Sequence, residues 1–375
     1  MKKLIGILAM GFLLFSLAAC GKSGSAAKTA ENARAADGGS AKELIYVFIK
    51  NRGDLAYWDS IAEGGDRAAA AFSGKATIRV VETTADLTAN LTAMYEAADA
   101  GAGLIITASD YKDNLVEVAN KFPDISCVIV AENIVDKAPN IYGIDFRVSE
   151  ASFLAGVVAA DIASQGTAGT QKSNVVGFIG GMDETLAIQE FFVGYIQGVK
   201  YYNPNVNIIY NYVGGWGDPD TARTQALAQY NDAKAEIIFA CAGGSGNGVH
   251  TAAAEVGKYV VGVDSDQTQM YKSDAKIQSR FVTSVLKLCN NAIFNIIDTY
   301  LQGEALPFGT YRILGVAEDS VGIVENDLFN SYVSAAGKAK LEQAKADITS
   351  GAVNVQSVIG KEQPEIKALI ADLIR

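Results

Sequence analysis

From Glu43 onward the chain alternates between short apolar runs and longer amphipathic stretches. Leu44–Lys50 is continuously apolar with β-branched and aromatic members, as a parallel strand buried on both faces would be. Tyr57–Phe72 is rich in alanine and charge, like a helix laid over a sheet. The same pattern predicts strands at Ala76–Glu82, Gly103–Ala108 and Ile125–Ala131, with helices at Leu87–Ala100 and Lys112–Lys121 between them. After a break rich in Gly, Thr and Ser (Gln165–Ser173) it starts again. Val175–Ile179, Asn207–Val213, Glu236–Ala242 and Tyr259–Val263 read as strands, and Ile188, Phe191, Phe192, Tyr195, Ile196 and Val199 recur at helical spacing after the first of them. Strands alternating with helices imply βαβ units with right-handed crossovers. Two such series of similar size predict an α/β fold of two Rossmann-like lobes. Ligands of these sheets bind outside the carboxyl ends of the strands, so the expected site is a cleft between the lobes.

The first forty residues follow other rules. Lys2 and Lys3 precede sixteen uncharged, mostly apolar residues, Leu4–Ala19. That is the charged start and apolar core of a secretory signal, shorter than the roughly 20 residues of a spanning helix. Leu17-Ala18-Ala19-Cys20-Gly21 resembles the bacterial lipobox, whose cysteine is acylated after cleavage, and acyl chains in pairs anchor stably. Residues 1–19 are therefore read as a signal peptide and Cys20 as the lipidated N-terminus. Gly21–Ser40 has no aromatic residue and no Val, Ile or Leu, and cannot offset its ordering entropy by burial. It reads as a tether, with 20–42 holding the protein on the outer face of the cell membrane.

Composition then narrows the function. The formal net charge is −11 and no basic patch stands out, which argues against nucleic acid as a partner. Of the four cysteines, Cys127 and Cys241 lie inside apolar runs and Cys289 in an amphipathic stretch. None forms a C-x-x-C pair, so buried thiols fit better than a disulfide framework or a zinc site. His250 is the only histidine, at the apparent start of a helix, and no G-x-S-x-G supplies a nucleophile. No enzyme activity, metal or cofactor is expected, and a nucleoside-cleaving activity would lack an acid–base constellation.

What stands just past each strand carries the chemistry. Asn51, Asp54, Tyr57 and Trp58 follow the first, and Ser109, Asp110 and Tyr111 the third. In the second series come Gly180-Gly181-Met182-Asp183, then Trp216 and Asp218, then Gly243–Gly248, then Asp264-Ser265-Asp266. Any one of these reads equally well as a cap or turn residue. Together they offer aromatic faces for flat rings, carboxylates for hydroxyl groups and bare backbone, as at Gly244, for close approach. A dinucleotide fingerprint fits Gly244 and Gly246 but meets Val249 at its third glycine position, although Asp264 stands where a ribose-binding acid would.

Several of these stretches resemble the basic membrane protein family, the purine-nucleoside-receptor class of bacterial substrate-binding lipoproteins. They are Val175–Met182, Phe191–Lys200, Val213–Pro219, Ile237–Val249, Gly262–Gln267 and Thr283–Lys287, with Glu150–Gly156 before them. The likeness runs from about Glu43 to Gly360. It implies a type I periplasmic-binding-protein fold whose chain crosses repeatedly between lobes: 43–147 and about 281–304 in the first, 148–280 and about 305–360 in the second, then an amphipathic helix at 361–375. It implies a monomer that delivers a nucleoside to an ABC permease with its ATPase subunits. Tyr57 and Trp216 match the rings that sandwich a base, and Asp264 and Lys287 match positions associated with ribose. Asp110 and Phe191 fall in regions that contribute to the pocket. The family's acidic opening reads Ile49–Trp58 here: its early Asp is missing, Asp54 keeps part of the role and Trp58 replaces an Asn. Riboflavin, or another flat heterocycle carrying a polyol, is the alternative ligand, since Trp58 and Trp216 offer larger surfaces. A surface lipoprotein with a sensor or adhesive role is the other alternative.

Overall fold

The computed structural model describes residues 43–53, 57–83, 85–165 and 172–375. Cys20, the signal and tether segments and Asp54 lie outside the described residues.

The chain builds β1 (Glu43–Ile49), α1 (Tyr57–Ala71), β2 (Ala76–Glu82), α2 (Leu87–Asp99), β3 (Leu104–Ala108), α3 (Lys112–Lys121), β4 (Ser126–Val130) and β5 (Ile141–Phe146). Next come α4 (Val148–Gln165), β6 (Val175–Gly180), α5 (Leu186–Tyr202), β7 (Asn207–Tyr212), α6 (Pro219–Asn231), β8 (Ile237–Cys241), α7 (Gly246–Val256) and β9 (Tyr259–Gly262). The last part holds α8 (Ala275–Gln278), β10 (Phe281–Lys287), α9 (Cys289–Leu301), β11 (Tyr311–Leu314), β12 (Val321–Ile323), α10 (Asp327–Tyr332), α11 (Ala335–Ser350) and α12 (Gln363–Ile374).

Two six-stranded sheets result, ordered β11-β5-β4-β3-β1-β2 and β12-β10-β9-β8-β6-β7. All their pairings are parallel except β10 with β12. The apolar runs explain the centres of both sheets: every residue of β3 (LIITA) and of β8 (IIFAC) is buried. Each such Leu or Ile contributes about 1.5–3 kcal/mol of burial. In the second lobe α4 and α5 lie backbone to backbone, because a Cβ at Gly194 or Gly198 would overlap the main chain of Ser149 or Phe153.

Three crossovers join the lobes: Phe146–Val148, Lys287–Cys289 and Leu314–Val321. The last two differ from the expected boundaries. Residues 281–287 belong to the second sheet, where β10 pairs with β9, and only α9 returns to the first lobe to pack on α1. Residues 311–314, expected in the second lobe, extend the first sheet beside β5. Hydrophobic periodicity identifies a strand but says nothing about which sheet edge receives it, and a four-residue strand leaves almost no pattern. Among the described residues no helix is long and apolar enough to cross a membrane.

Candidate functional site

Each sheet reverses its strand order beside its first strand, between β1 and β3 in one lobe and between β6 and β8 in the other. Ligands of open α/β sheets sit at these switch points. At the second, Gly181 donates its N–H to the Cys241 carbonyl at 2.9 Å, and its own carbonyl accepts from Gly214 and Gly215 at 2.8 and 3.0 Å. The loop after β7 therefore hangs on Gly181. It lays the Trp216 ring over that glycine and beside Gly243, so closely that a Cβ at Gly181 would overlap the indole. The residue is nevertheless 44% exposed.

Ser245 fixes the same loop from below. Its N–H donates to the Trp216 carbonyl and its hydroxyl to the Gly215 carbonyl, both at 2.9 Å, while the hydroxyl accepts from Asp218 N–H at 2.9 Å. Gly244 gives the Trp216 carbonyl room to approach. Asp218 is a helix cap: it accepts from Thr221 N–H and Oγ1 at 3.0 and 2.6 Å, and these bonds hold its carboxyl below the usual range.

At the other end of the row of strand ends, β9 stops at Gly262 and Asp264 follows two residues on, with a left-handed φ of +65°. Its carbonyl accepts from Lys287 N–H at 3.1 Å. The Lys287 ammonium stands 4.5 Å from the centre of the Tyr57 ring and 5.4 Å from that of Phe146. Both rings belong to the first lobe, so this cation–π contact spans the crossovers. Burial pushes the Tyr57 phenol well up, Cys289, Asp145 and Asp110 add to the shift, and only Ser109 pulls the other way. A cavity of about 350 Å³ opens here, lined by Asp59, Ser60 and Glu63 of α1 together with Asp264, Asp266 and Lys287.

The other candidates are paired or packed away from the open surface of this cavity. Asp110 pairs with Lys50 at 3.3 Å, both about two-fifths exposed, a pair worth roughly 0–1 kcal/mol. Trp58 is only 8% exposed and packs against Tyr57 and Tyr111. Phe191, 4% exposed, stands edge-on to Phe239 in the core of the second lobe. His250 is buried, with Nδ1 2.9 Å from the Tyr271 hydroxyl, and burial lowers its pKa to about 3. Cys127, Cys241 and Cys289 are free and buried, and burial pushes the Cys289 thiol up to about 12. Among the described residues no cluster of His, Cys, Asp or Glu is arranged to hold a metal.

Asp145 was missed. It sits at the carboxyl end of β5, accepts from the Tyr311 hydroxyl at 2.6 Å, and its charge reaches Tyr57 and Cys289. Reading Ile141–Phe146 as a strand would have exposed it, by the rule that singled out Asp264.

Two α/β lobes joined by three crossovers, with aromatic, glycine and carboxylate residues gathered at their strand ends, define a solute-binding protein. Residues 42–356 match the model of the PnrA-like ABC transporter substrate-binding proteins, and the chain belongs to that family. It is 29% identical over 279 residues to basic membrane protein D of Borreliella burgdorferi, covering 70% of this chain and 77% of that one. A protein of Lactococcus lactis named ABC transporter nucleoside-binding protein BmpA is 29% identical over 240 residues, or 61% of this chain and 64% of its own. A solute-binding protein of an ABC transporter system from Aeropyrum pernix has the same fold, with a TM-score of 0.72 at 22% identity over 89% of this chain and 97% of that one. The protein serves an ABC importer as its solute-binding component, and its family is one of non-catalytic binders.

Proposed function

We propose that the protein binds a purine nucleoside between its lobes and delivers it to an ABC permease driven by ATPase subunits, held at the outer face of the cell membrane by a lipid on Cys20. The observation that carries the ligand is the exposed Trp216 ring braced on Gly181, with Asp264 and Lys287 farther along the same row of strand ends. From β6 to β10 is three strand spacings, about 14 Å, room for a flat base on the indole and a sugar toward the carboxylates. The cavity by Lys287 carries Asp59, Glu63, Asp264 and Asp266, which can accept from hydroxyl groups and repel a phosphate. That favours a nucleoside over its nucleotide. The nucleoside-binding name of the Lactococcus relative agrees with this choice. Riboflavin loses part of its case because Trp58 is packed inside rather than offered as a second surface.

Calorimetry on the mature protein tests the ligand, with inosine, inosine 5′-monophosphate and riboflavin compared. Heat of binding with inosine alone is the expected result; saturation by riboflavin without any response to inosine would replace the nucleoside by a flavin. The anchor has its own test. Cys20→Ala protein expressed in a bacterium should appear in the soluble fraction, and continued sedimentation with membranes would put the anchor elsewhere.

A further inference from the structure

The family match ends at residue 356, yet the chain continues through Gln356–Gly360 into α12. This last segment lies along α5, the helix that follows the loop of residues 181–185, and α5 grips it repeatedly. Gln197 makes a reciprocal pair with the main chain of Gln356, donating to its carbonyl at 3.0 Å and accepting its N–H at 2.8 Å. Glu190, only 3% exposed, accepts from Val358 N–H at 2.6 Å and from the Ser357 hydroxyl at 2.9 Å. The side-chain amides of Gln189 and Gln363 bond each other both ways, at 2.8 and 2.9 Å. Ile366 and Ile370 bury the apolar face of α12.

The segment also reaches past α5 to the loop itself. Lys367 pairs with the Glu184 carboxylate at 2.5 Å, and Gln363 Nε2 donates to the Glu184 carbonyl at 3.3 Å. Glu184 needs such support, because its φ of +58° is left-handed without being glycine. A conformation of that kind persists only where the surroundings impose it. The loop begins at Gly181, whose carbonyl carries the Trp216 loop; it presents the exposed side chain of Met182, and Leu186 at the start of α5 is exposed beside it. Glu184 stands three residues along the chain from Gly181, so the link from α12 to Trp216 runs through the Glu184 contacts, the peptide 181–184 and the hydrogen bonds of Gly181.

We propose that residues 356–374 act as a clasp that sets the position of the loop 181–185, making Gln363 and Lys367 positioning residues for the Trp216 face of the solute site. A surface ion pair alone adds little stability. Its role here is to hold one backbone conformation at the edge of the site.

Hydrogen exchange on the mature, ligand-free protein tests the clasp, comparing Gln363→Ala/Lys367→Ala and Lys367→Arg with the unmodified chain. In the double variant, amides of residues 182–186 should exchange about tenfold faster while those of β6 and β8 keep their rates, as a local opening requires. Lys367→Arg should behave as wild type, since it keeps the charge that pairs with Glu184. Unchanged loop exchange overturns the clasp, as does equal acceleration in loop and strands, which would mark a merely structural helix. The link to the site rests on the nucleoside reading, and its readout is inosine release in stopped flow, expected about fivefold to tenfold faster in the double variant, a change mostly in dissociation. Release at the wild-type rate from a loosened loop overturns that link. A wild-type protein that binds no inosine defeats the nucleoside reading and leaves the exchange rates to decide the clasp.

Discussion

Trp216→Ala is expected to weaken nucleoside binding about tenfold to a hundredfold, since stacking a base on an aromatic ring is worth roughly 1–3 kcal/mol. The structure makes this variant clean. Trp216 is 44% exposed, one part of its indole rests on Gly181 and Gly243, and Ser245 holds the loop through backbone atoms that alanine retains. Truncation should therefore leave the melting temperature of the ligand-free protein close to wild type. Trp216→Phe should recover most of the affinity, because a smaller ring still offers a face. Gly181→Ala provides an independent check: its methyl group overlaps the seated indole, so the ring must move and affinity should fall without loss of any stacking group. Calorimetry with inosine measures all three. Full affinity in Trp216→Ala would return the residue to ordinary surface packing and remove the main support for a flat ligand.

The fold was legible where burial on both faces made strands into continuous apolar runs. Leu104–Ala108 and Ile237–Cys241 are such runs, and both are central strands. Legibility failed at the margins. Tyr311–Leu314 is a four-residue edge strand containing Arg312, and Phe281–Lys287 reads as a strand without revealing which lobe it joins. The same limit applies to the site. Trp216 and Asp264 were named from their position past strand ends and from the family likeness, Lys287 from the likeness alone, and each lies at the carboxyl end of the second sheet. Trp58 was named from its place past the first strand and Phe191 from the family likeness, yet both turn into the core. Trp58 is the second residue of α1, where an aromatic looks alike in sequence whether it faces a cleft or the sheet beneath, because helical phase at the first turn is set by the preceding loop; Phe191, the sixth residue of α5, follows the apolar stripe that the spacing had marked. Ser245 acts through backbone atoms of Gly215 and Trp216, so no side-chain pattern marks it.

The largest effect is expected at Asp264 and Lys287. Both line the cavity of about 350 Å³ beside the crossover at 287–289. Asp264→Asn is the informative substitution, because the residue adopts a φ of +65°. Asparagine enters this left-handed region more readily than other side chains, whereas alanine would add backbone strain to the loss of charge. Removing the charge should cost about 2–4 kcal/mol of nucleoside affinity, a ~30-fold to ~1000-fold loss, as truncating one partner of a desolvated charged hydrogen bond does. Binding of the free base, which lacks the sugar hydroxyls, should hardly change. Lys287→Met keeps an apolar stem over Tyr57 and Phe146 but removes the ammonium. It should lose nucleoside affinity and also about 0.5–2 kcal/mol of ligand-free stability, the worth of a cation held over an aromatic face. The two variants are therefore expected to separate the roles, with Asp264→Asn felt by the ligand alone and Lys287→Met by both the ligand and the seam between lobes. Calorimetry with inosine and hypoxanthine, beside denaturant unfolding without ligand, reads each contribution. If Asp264→Asn unfolds more easily without ligand and still binds inosine at full strength, the carboxylate braces the crossover and the ribose assignment falls.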